Sequence, residues 1–381
     1  MKIEVRKVMC RRDMDDFVQL PRLIYQDVPQ YVPDMESDIR RLFRRATNPG
    51  LEFSNIQPFV AYRNDVPIGR IAGIVNRKAN ERWNTSNVRF SLIEFIDDEQ
   101  VSRALIDAVA RWGAAQGMHY IEGPLGITDF DKEGMLIEDF HMSGSMTAIY
   151  NPDYYPRHME SLGFAKEVDW LQVRAEIPKE VPAKFARVAK YLRERAGLAV
   201  RKFTTKQLMG KTGHDVFDLF NEAYAPIFGF SRLSDEQIDN FLRQYLPLID
   251  PRFIPIVVNK QQEVVGAAVT MVSLAEAMQK AGGRMWPTGW WHLLKALKLK
   301  PADHVEMLLI AVRPDYQGLG VNALFFDDLI PIYNRCGIRW AETGPQLEDN
   351  VRELTQWKLL CPKYVKRRRC YKARIEVSKI R

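Results

Sequence analysis

Apolar residues recur along this chain in two rhythms, and the rhythms take turns. Alternation with a period of two marks strands at Ile3 to Val8, at Pro58 to Arg63 and Pro67 to Val75 on either side of an Asn64-Asp65 turn, and at Val88 to Phe95. A helical period follows, with Val101, Ala104, Leu105, Ala108, Val109 and Trp112 on one face, Gly117 as the stop, and a further strand at Met118 to Glu122. The same succession returns far downstream. An apolar run, Met307 to Val312, precedes a turn, Arg313 to Tyr316. A helix then carries Phe325, Leu329, Ile332 and Tyr333 on one face, Gly337 closes it, and Ile338 to Glu342 is a strand. Pro331 falls inside that helix, removes one backbone bond and predicts a kink.

The rest of the pattern is weaker. Asp13 to Tyr25 reads as a helix, and the Arg-, Pro- and Asp-rich tract Tyr31 to Gly50 as a surface wrap. Glu176 to Arg201 reads as a junction holding a basic helix, Ala183 to Glu194. Val216 to Ile227 is a helix, Ser234 and Gln237 form a capping box for the helix ending at Tyr245, and Phe253 to Asn259 pairs with Glu263 to Val272. Both strand–helix–strand blocks are followed by an Asn-led segment, at Asn151 and at Asn350. Repetition at this scale predicts two related α/β units, 1–177 and 178–381.

The second block carries a glycine loop, Gln317-Gly318-Leu319-Gly320-Val321-Asn322, between its strand and its helix. A helix N-terminus leaves backbone N–H groups unpaired and favours an anion, and glycine lets a phosphate approach the backbone. The spacing fits neither a P-loop nor a dinucleotide fingerprint. It resembles the Gln/Arg-x-x-Gly-x-Gly/Ala signature of the GNAT acyl-CoA N-acyltransferases, with Gln317 and Gly320 on fixed positions and Asn322 where Gly or Ala is usual. The resemblance implies an α/β fold of two GNAT-like domains in tandem, with mixed central sheets flanked by helices. It implies acyl-CoA as co-substrate, either acetyl-CoA or a long-chain acyl-CoA. Loop residues Gln317, Gly318, Leu319, Gly320, Val321 and Asn322 would hold its pyrophosphate, and strand residues Ile310, Ala311 and Val312 would guide the thioester. The corresponding turn of the first block, Ile96-Asp97-Asp98-Glu99, is acidic and lacks glycine, so the first unit is expected to be a degenerate copy that does not hold the anion.

Composition narrows the class. With 381 residues, 46% apolar and 27% charged, the chain reads as soluble and globular. Its net charge of +7 favours anionic partners such as CoA, phosphate or acidic lipid heads. No nucleic-acid reading module is recognisable. Cys10, Cys336, Cys361 and Cys370 have no metal-ligand spacing, and the first residues lack an apolar signal core, so a cytoplasmic location is expected. The segment Gly123 to Tyr150 contains Asp129, Asp131, Glu133, Glu138, Asp139 and His141, whose spacing fits no metal site and predicts a solvated acidic loop.

Two features bear on chemistry. Acyl transfer to an amine needs a base, an oxyanion donor and an acid for the leaving thiolate. Base candidates are Glu306, His304, Glu342 and Glu348; Tyr364 stands where the GNAT fold often places its acid. The stretch Met285 to Lys300 sets Trp286, Trp290 and Trp291 beside Leu293, Leu294, Leu297 and Leu299, with Lys295, Lys298 and Lys300 interleaved. That pattern suits either an interfacial helix on the inner membrane face or a core helix with a basic rim, and it is too short to span a bilayer. The C-terminal half is also similar to bacterial ceramide synthases, which implies a long-chain acyl group, a sphingoid or other lipid amine as acceptor, and a place in lipid metabolism. The alternatives are a small-amine or amino-acid N-acetyltransferase and a non-catalytic CoA-ligand sensor or scaffold.

Overall fold

In the computed structural model, residues 2–350, 354 and 356–376 are described. Strands β1 (Ile3–Lys7), β2 (Ser54–Arg63), β3 (Val66–Asn76), β4 (Asn87–Phe95), β5 (Tyr120–Gly123), β6 (Met135–Leu136) and β7 (Ala165–Glu176) come first in the chain. They are followed by β8 (Ala199–Arg201), β9 (Ile256–Val258), β10 (Val264–Val272), β11 (His304–Val312), β12 (Trp340–Thr343), β13 (Gln346–Leu347) and β14 (Lys363–Arg374). The early helices are α1 (Arg11–Ile24), α2 (Glu36–Leu42), α3 (Arg77–Trp83), α4 (Glu99–Ala114), α5 (Tyr154–Ser161) and α6 (Ala183–Tyr191). The later ones are α7 (Thr205–Leu208), α8 (Lys211–Ala223), α9 (Asp235–Tyr245), α10 (Ala275–Ala281), α11 (Gly289–Leu294) and α12 (Asn322–Arg335).

The chain forms two compact units, and they are not two consecutive pieces. One comprises 1–171, 275–293 and 366–381; the other comprises 172–274 and 294–365. A single cut at 177/178 therefore does not describe the packing. In the first unit the strand order is β1-β2-β3-β4-β5-β14. All neighbours are antiparallel except β4 and β5, which run parallel. In the second unit the order is β8-β9-β10-β11-β12-β7, again antiparallel apart from the parallel pair β11 and β12. The last strand of each sheet comes from the end of the other half of the sequence.

The two sheets share a defect that alternation alone does not show. In β11 the register slips between Val269↔Leu309 and Thr270↔Met307, so one residue is extra. Val305 and Met307 before the slip, and Ile310 and Val312 after it, all pack toward α12. A bulge shifts the parity of the pleat, which reconciles odd-numbered and even-numbered positions on one face. In β4 the slip lies between Arg70↔Glu94 and Ala72↔Ser91, with Leu92 at φ +49°. There Val88, Phe90, Ile93 and Phe95 pack in one core with Val101, Leu105 and Val109 of α4. The two strands thus match position for position, Val88 with Val305 through Phe95 with Val312.

Other elements extend the reading from sequence. The tract Tyr31 to Gly50 contains helix α2, whose Ile39 is buried. Segment 275–293, late in the sequence, packs in the first unit. There Gln279 Nε2 donates to the carbonyls of Pro29 (2.8 Å) and Tyr31 (3.1 Å), and Arg284 pairs with Glu36 at 2.8 Å. The capping box of Ser234 and Gln237 forms as its residues predict. No helix among the described residues is long and apolar enough to cross a membrane.

Candidate functional site

The second unit opens where its parallel strands part. β11 and β12 pair from His304↔Trp340 to Met307↔Thr343 and no further, while β11 runs on to Val312. Past the last pair, the edge of β11 facing the gap has lost its neighbour. At that edge the Ile310 N–H donates to the Tyr224 hydroxyl (3.3 Å), which in turn donates to the Ile310 carbonyl (3.0 Å). Tyr224 caps the C-terminus of α8. Nothing in the local sequence linked it to a strand 86 residues away.

Beyond Val312 the chain turns through a short 3₁₀ stretch, Pro314–Tyr316, into the glycine loop. Gly318 and Gly320 sit at φ +81° and +86°, a region that suits glycine. A Cβ on Gly320 would lie 2.9 Å from Val188 Cγ1 of α6. The loop is braced from outside: Arg313 pairs with Asp315 (2.8 Å) and Glu263 (3.4 Å), and Gln317 Nε2 donates to the Val312 carbonyl at 3.0 Å. The Gln317 and Leu319 amides bond within the turn, to Pro314 and Tyr316. The amides of Gly318, Gly320, Val321 and Asn322 meet no acceptor among the described residues. Four unengaged donors thus stand at the head of a fourteen-residue helix, where the backbone carries partial positive charge. The Asn322 side chain is tied to Gln356 Oε1 at 2.5 Å, while its own Oδ1 is buried without a partner.

On the sheet face away from α12 lies a polar row. Glu306 and Glu342 are register partners, one pair before the strands part, and both are buried. Glu342 accepts from Arg174 Nη2 (2.7 Å) and Nε (3.2 Å), and Arg174 is its register partner on β7. The Arg174 guanidinium also lies 4.2 Å from the Trp340 ring centre, and Trp340 stacks on His304 at 3.9 Å. Glu306 accepts from the neutral Ser273 hydroxyl at 2.7 Å. Burial lowers the His304 pKa, which disfavours the imidazolium.

The remaining candidates lie apart from that row. Glu348 is half-buried beyond β13, and Tyr364 is half-exposed at the start of β14. No hydrogen bond among the described residues links Tyr364 to Glu306 or Glu342. Ala311 is buried in β11. Among the described residues no cluster of His, Cys, Asp or Glu could hold a metal ion. The acidic stretch after β5 is not the solvated loop its composition predicts: both Asp129 carboxylate oxygens are buried.

The architecture has known counterparts. A tandem GNAT protein from the clavulanic acid biosynthesis pathway superposes with a TM-score of 0.58, covering 98% of this chain and 99% of that one at 11% identity. The chain has the tandem GNAT fold. A GCN5-related N-acetyltransferase from Sphaerobacter thermophilus superposes with a TM-score of 0.53 at 12% identity, covering 98% and 96% of the two chains. No family model matches the sequence. Among curated proteins, Protein YghO of Escherichia coli (strain K12) is 26% identical over 321 residues, 82% of this chain and 79% of the relative. Bacterial ceramide synthase of Caulobacter vibrioides (strain NA1000 / CB15N) is 22% identical over 319 residues, 83% and 82% of the two.

Proposed function

We propose that the second unit is an acyl-CoA-dependent N-acyltransferase. The observation that carries this reading is the set of four unengaged amides, on Gly318, Gly320, Val321 and Asn322, at the end of a strand that has parted from its neighbour. The donor set fits a pyrophosphate, and the open edge of β11 gives an extended pantetheine a strand to lie along. Gln317 and Leu319 shape the turn and engage their own amides within it.

Glu306 is the base in this reading. Glu342 has its lone pairs directed at a guanidinium, which makes it a poor proton acceptor and a good anchor for Arg174. Glu306 is held by a neutral hydroxyl and lies one residue from the parting of the strands. It takes the proton from the acceptor ammonium or from the attacking amine. A β11 amide near Ile310 then donates to the developing oxyanion, once the Tyr224 hydroxyl yields that position. Tyr224 is also placed to protonate the leaving thiolate. It is a better-placed acid than the exposed Tyr364.

The acyl group in this reading is long and the acceptor a lipid amine. One relative is named a ceramide synthase, and the chain presents bare aromatic surface. Trp286, Trp290 and Trp291 are 77%, 41% and 45% exposed, next to Leu294 and the lysines that follow it. Exposed tryptophan beside leucine and lysine suits the headgroup layer of an anionic membrane.

The test is calorimetric titration of the full chain with acetyl-CoA and with palmitoyl-CoA below its micelle threshold. Tighter palmitoyl-CoA binding, by at least tenfold, is expected. Equal binding of both moves the reading to a small-amine acetyltransferase, and binding without turnover of any amine moves it to a sensor.

A further inference from the structure

The first unit keeps the polar face of the second but changes its occupants. Arg89 and Glu122 are register partners, as Glu306 and Glu342 are. Lys372 faces Glu122 across the antiparallel pair, as Arg174 faces Glu342. Arg89 thus stands where Glu306 would be the base. Its guanidinium donates to the carbonyls of Gly126 (3.0 Å) and Ile127 (3.4 Å), and lies 3.9 Å from Glu122. Those bonds fold the segment after β5 back over this face, and Asp129, Asp131 and Glu133 come with it.

Four carboxyl groups gather there: Glu122, Asp129, Asp131 and Glu133. Asp131 is satisfied, accepting from the Thr128 amide at 2.9 Å. Glu122 accepts from Asn87 at 2.5 Å and lies 3.8 Å from Lys372. Asp129 has both oxygens buried and neither one bonded. A buried carboxylate without a donor is costly. The residues of the segment 129–133 are themselves only half-buried, so the cluster lies near the surface of the unit.

We propose that this carboxyl cluster of the first unit binds a protonated primary amine, with Asp129 as its counter-ion. An ammonium brings three donors to a place with surplus acceptors and too little positive charge. A metal ion is disfavoured, because no set of three ligands converges among the described residues. Burial pushes the Asp129 carboxyl up to about 7, with Arg89 and Arg82 opposing the rise and Asp131 adding to it. Burial likewise raises Glu133, beside Asp129, Asp131 and Glu122. Carboxyls poised in this way ionise when a cation arrives. The site goes beyond the acyl-transfer reading and does not depend on it.

The test is calorimetric titration of the full chain at pH 8 with n-hexylamine, and with n-hexanol as the neutral control. Hexylammonium binds, hexanol does not, and Asp129→Asn weakens the amine at least tenfold. Glu306→Gln, which removes the proposed base in the other unit, leaves this binding unchanged. In the unsubstituted protein at about pH 6, where the Asp129 carboxyl is still largely protonated, its ¹³C resonance shifts to the ionised position when the amine is added. Amine binding equal in Asp129→Asn and the parent overturns the proposal. So does an Asp129 resonance that ignores the amine, or binding of magnesium or calcium ions in preference to it.

Discussion

The two corners where a strand feeds a helix differ in what meets the helix N-terminus. In the second unit the corner is Gln317 to Asn322, and four amides point to no acceptor among the described residues. In the first unit it is Ile96 to Glu99, and the corner is already filled. Asp98 caps α4, accepting from the Gln100 amide at 2.9 Å, and its carbonyl takes the amides of Val101 and Ser102. The Arg63 guanidinium, 2.5 Å away, holds the Asp98 carboxyl below its usual range. The helix end carries a built-in anion and has no room for another. The parted strands differ in the same sense. The Phe95 amide donates to the Tyr155 hydroxyl, and the Phe95 carbonyl accepts from Tyr154. In the second unit a single tyrosine, Tyr224, does both jobs at Ile310. Two fixed phenols from α5 fill the first gap; one phenol at a helix end covers the second.

That contrast can be broken most directly at the base. Glu306→Gln should lower kcat about a thousandfold, within the usual range for removing a general base, and leave acyl-CoA affinity unchanged. Steady-state kinetics with calorimetry on the same protein decides it, and a loss of affinity with kcat intact would move Glu306 out of the chemistry. The next effect is on the anion. Gly320→Asp should weaken CoA binding about a hundredfold, ~2.7 kcal/mol, by giving the open corner the acidic character of the closed one. Gly320→Ala meets the same Val188 contact and the same positive φ without the charge. If it loses as much as the aspartate, crowding rather than charge is responsible.

The smallest effect sharpens the first unit. Burial pushes the Glu94 carboxyl up to about 7 from 4.5, against Arg70 and the hydroxyls of Tyr25 and Tyr155. An acid with a raised folded pKa binds more protons folded than unfolded between those two values, so its contribution to stability falls as pH rises from 4.5 to 7. Chemical denaturation across that window should show Glu94→Gln losing about 2–3 kcal/mol less than the parent. Parallel curves for the two proteins would mean that Glu94 is ionised throughout.

Much of this was legible in the residues. The helix over 101–112, the strands over 88–95 and 307–312, and the glycine loop follow from period and turn chemistry, which act within a few residues. The acidic character of the first unit's corner could be read from Asp97, Asp98 and Glu99 alone. The bulges could not, because one extra residue changes which positions share a face only when the partner strand fixes the register. Arg174 and Lys372 were silent for the same reason: each matters through the glutamate it faces on another strand. Composition misled at Asp129, since a run of carboxylates looks solvated until Arg89 draws its backbone over the sheet.

The repeated strand–helix–strand order, the glycines at positive φ and the acidic turn at one corner are written in the local residues, since each depends on backbone sterics and charge within a single turn of chain. Tertiary pairing alone brings β14 to complete the first sheet and β7 the second, packs 275–293 in the first unit, and sets Arg174 on Glu342 and the Ser273 hydroxyl on Glu306. Those outcomes rest on pairing between residues distant in sequence, where burial of whole faces selects the partner and no local pattern records the choice.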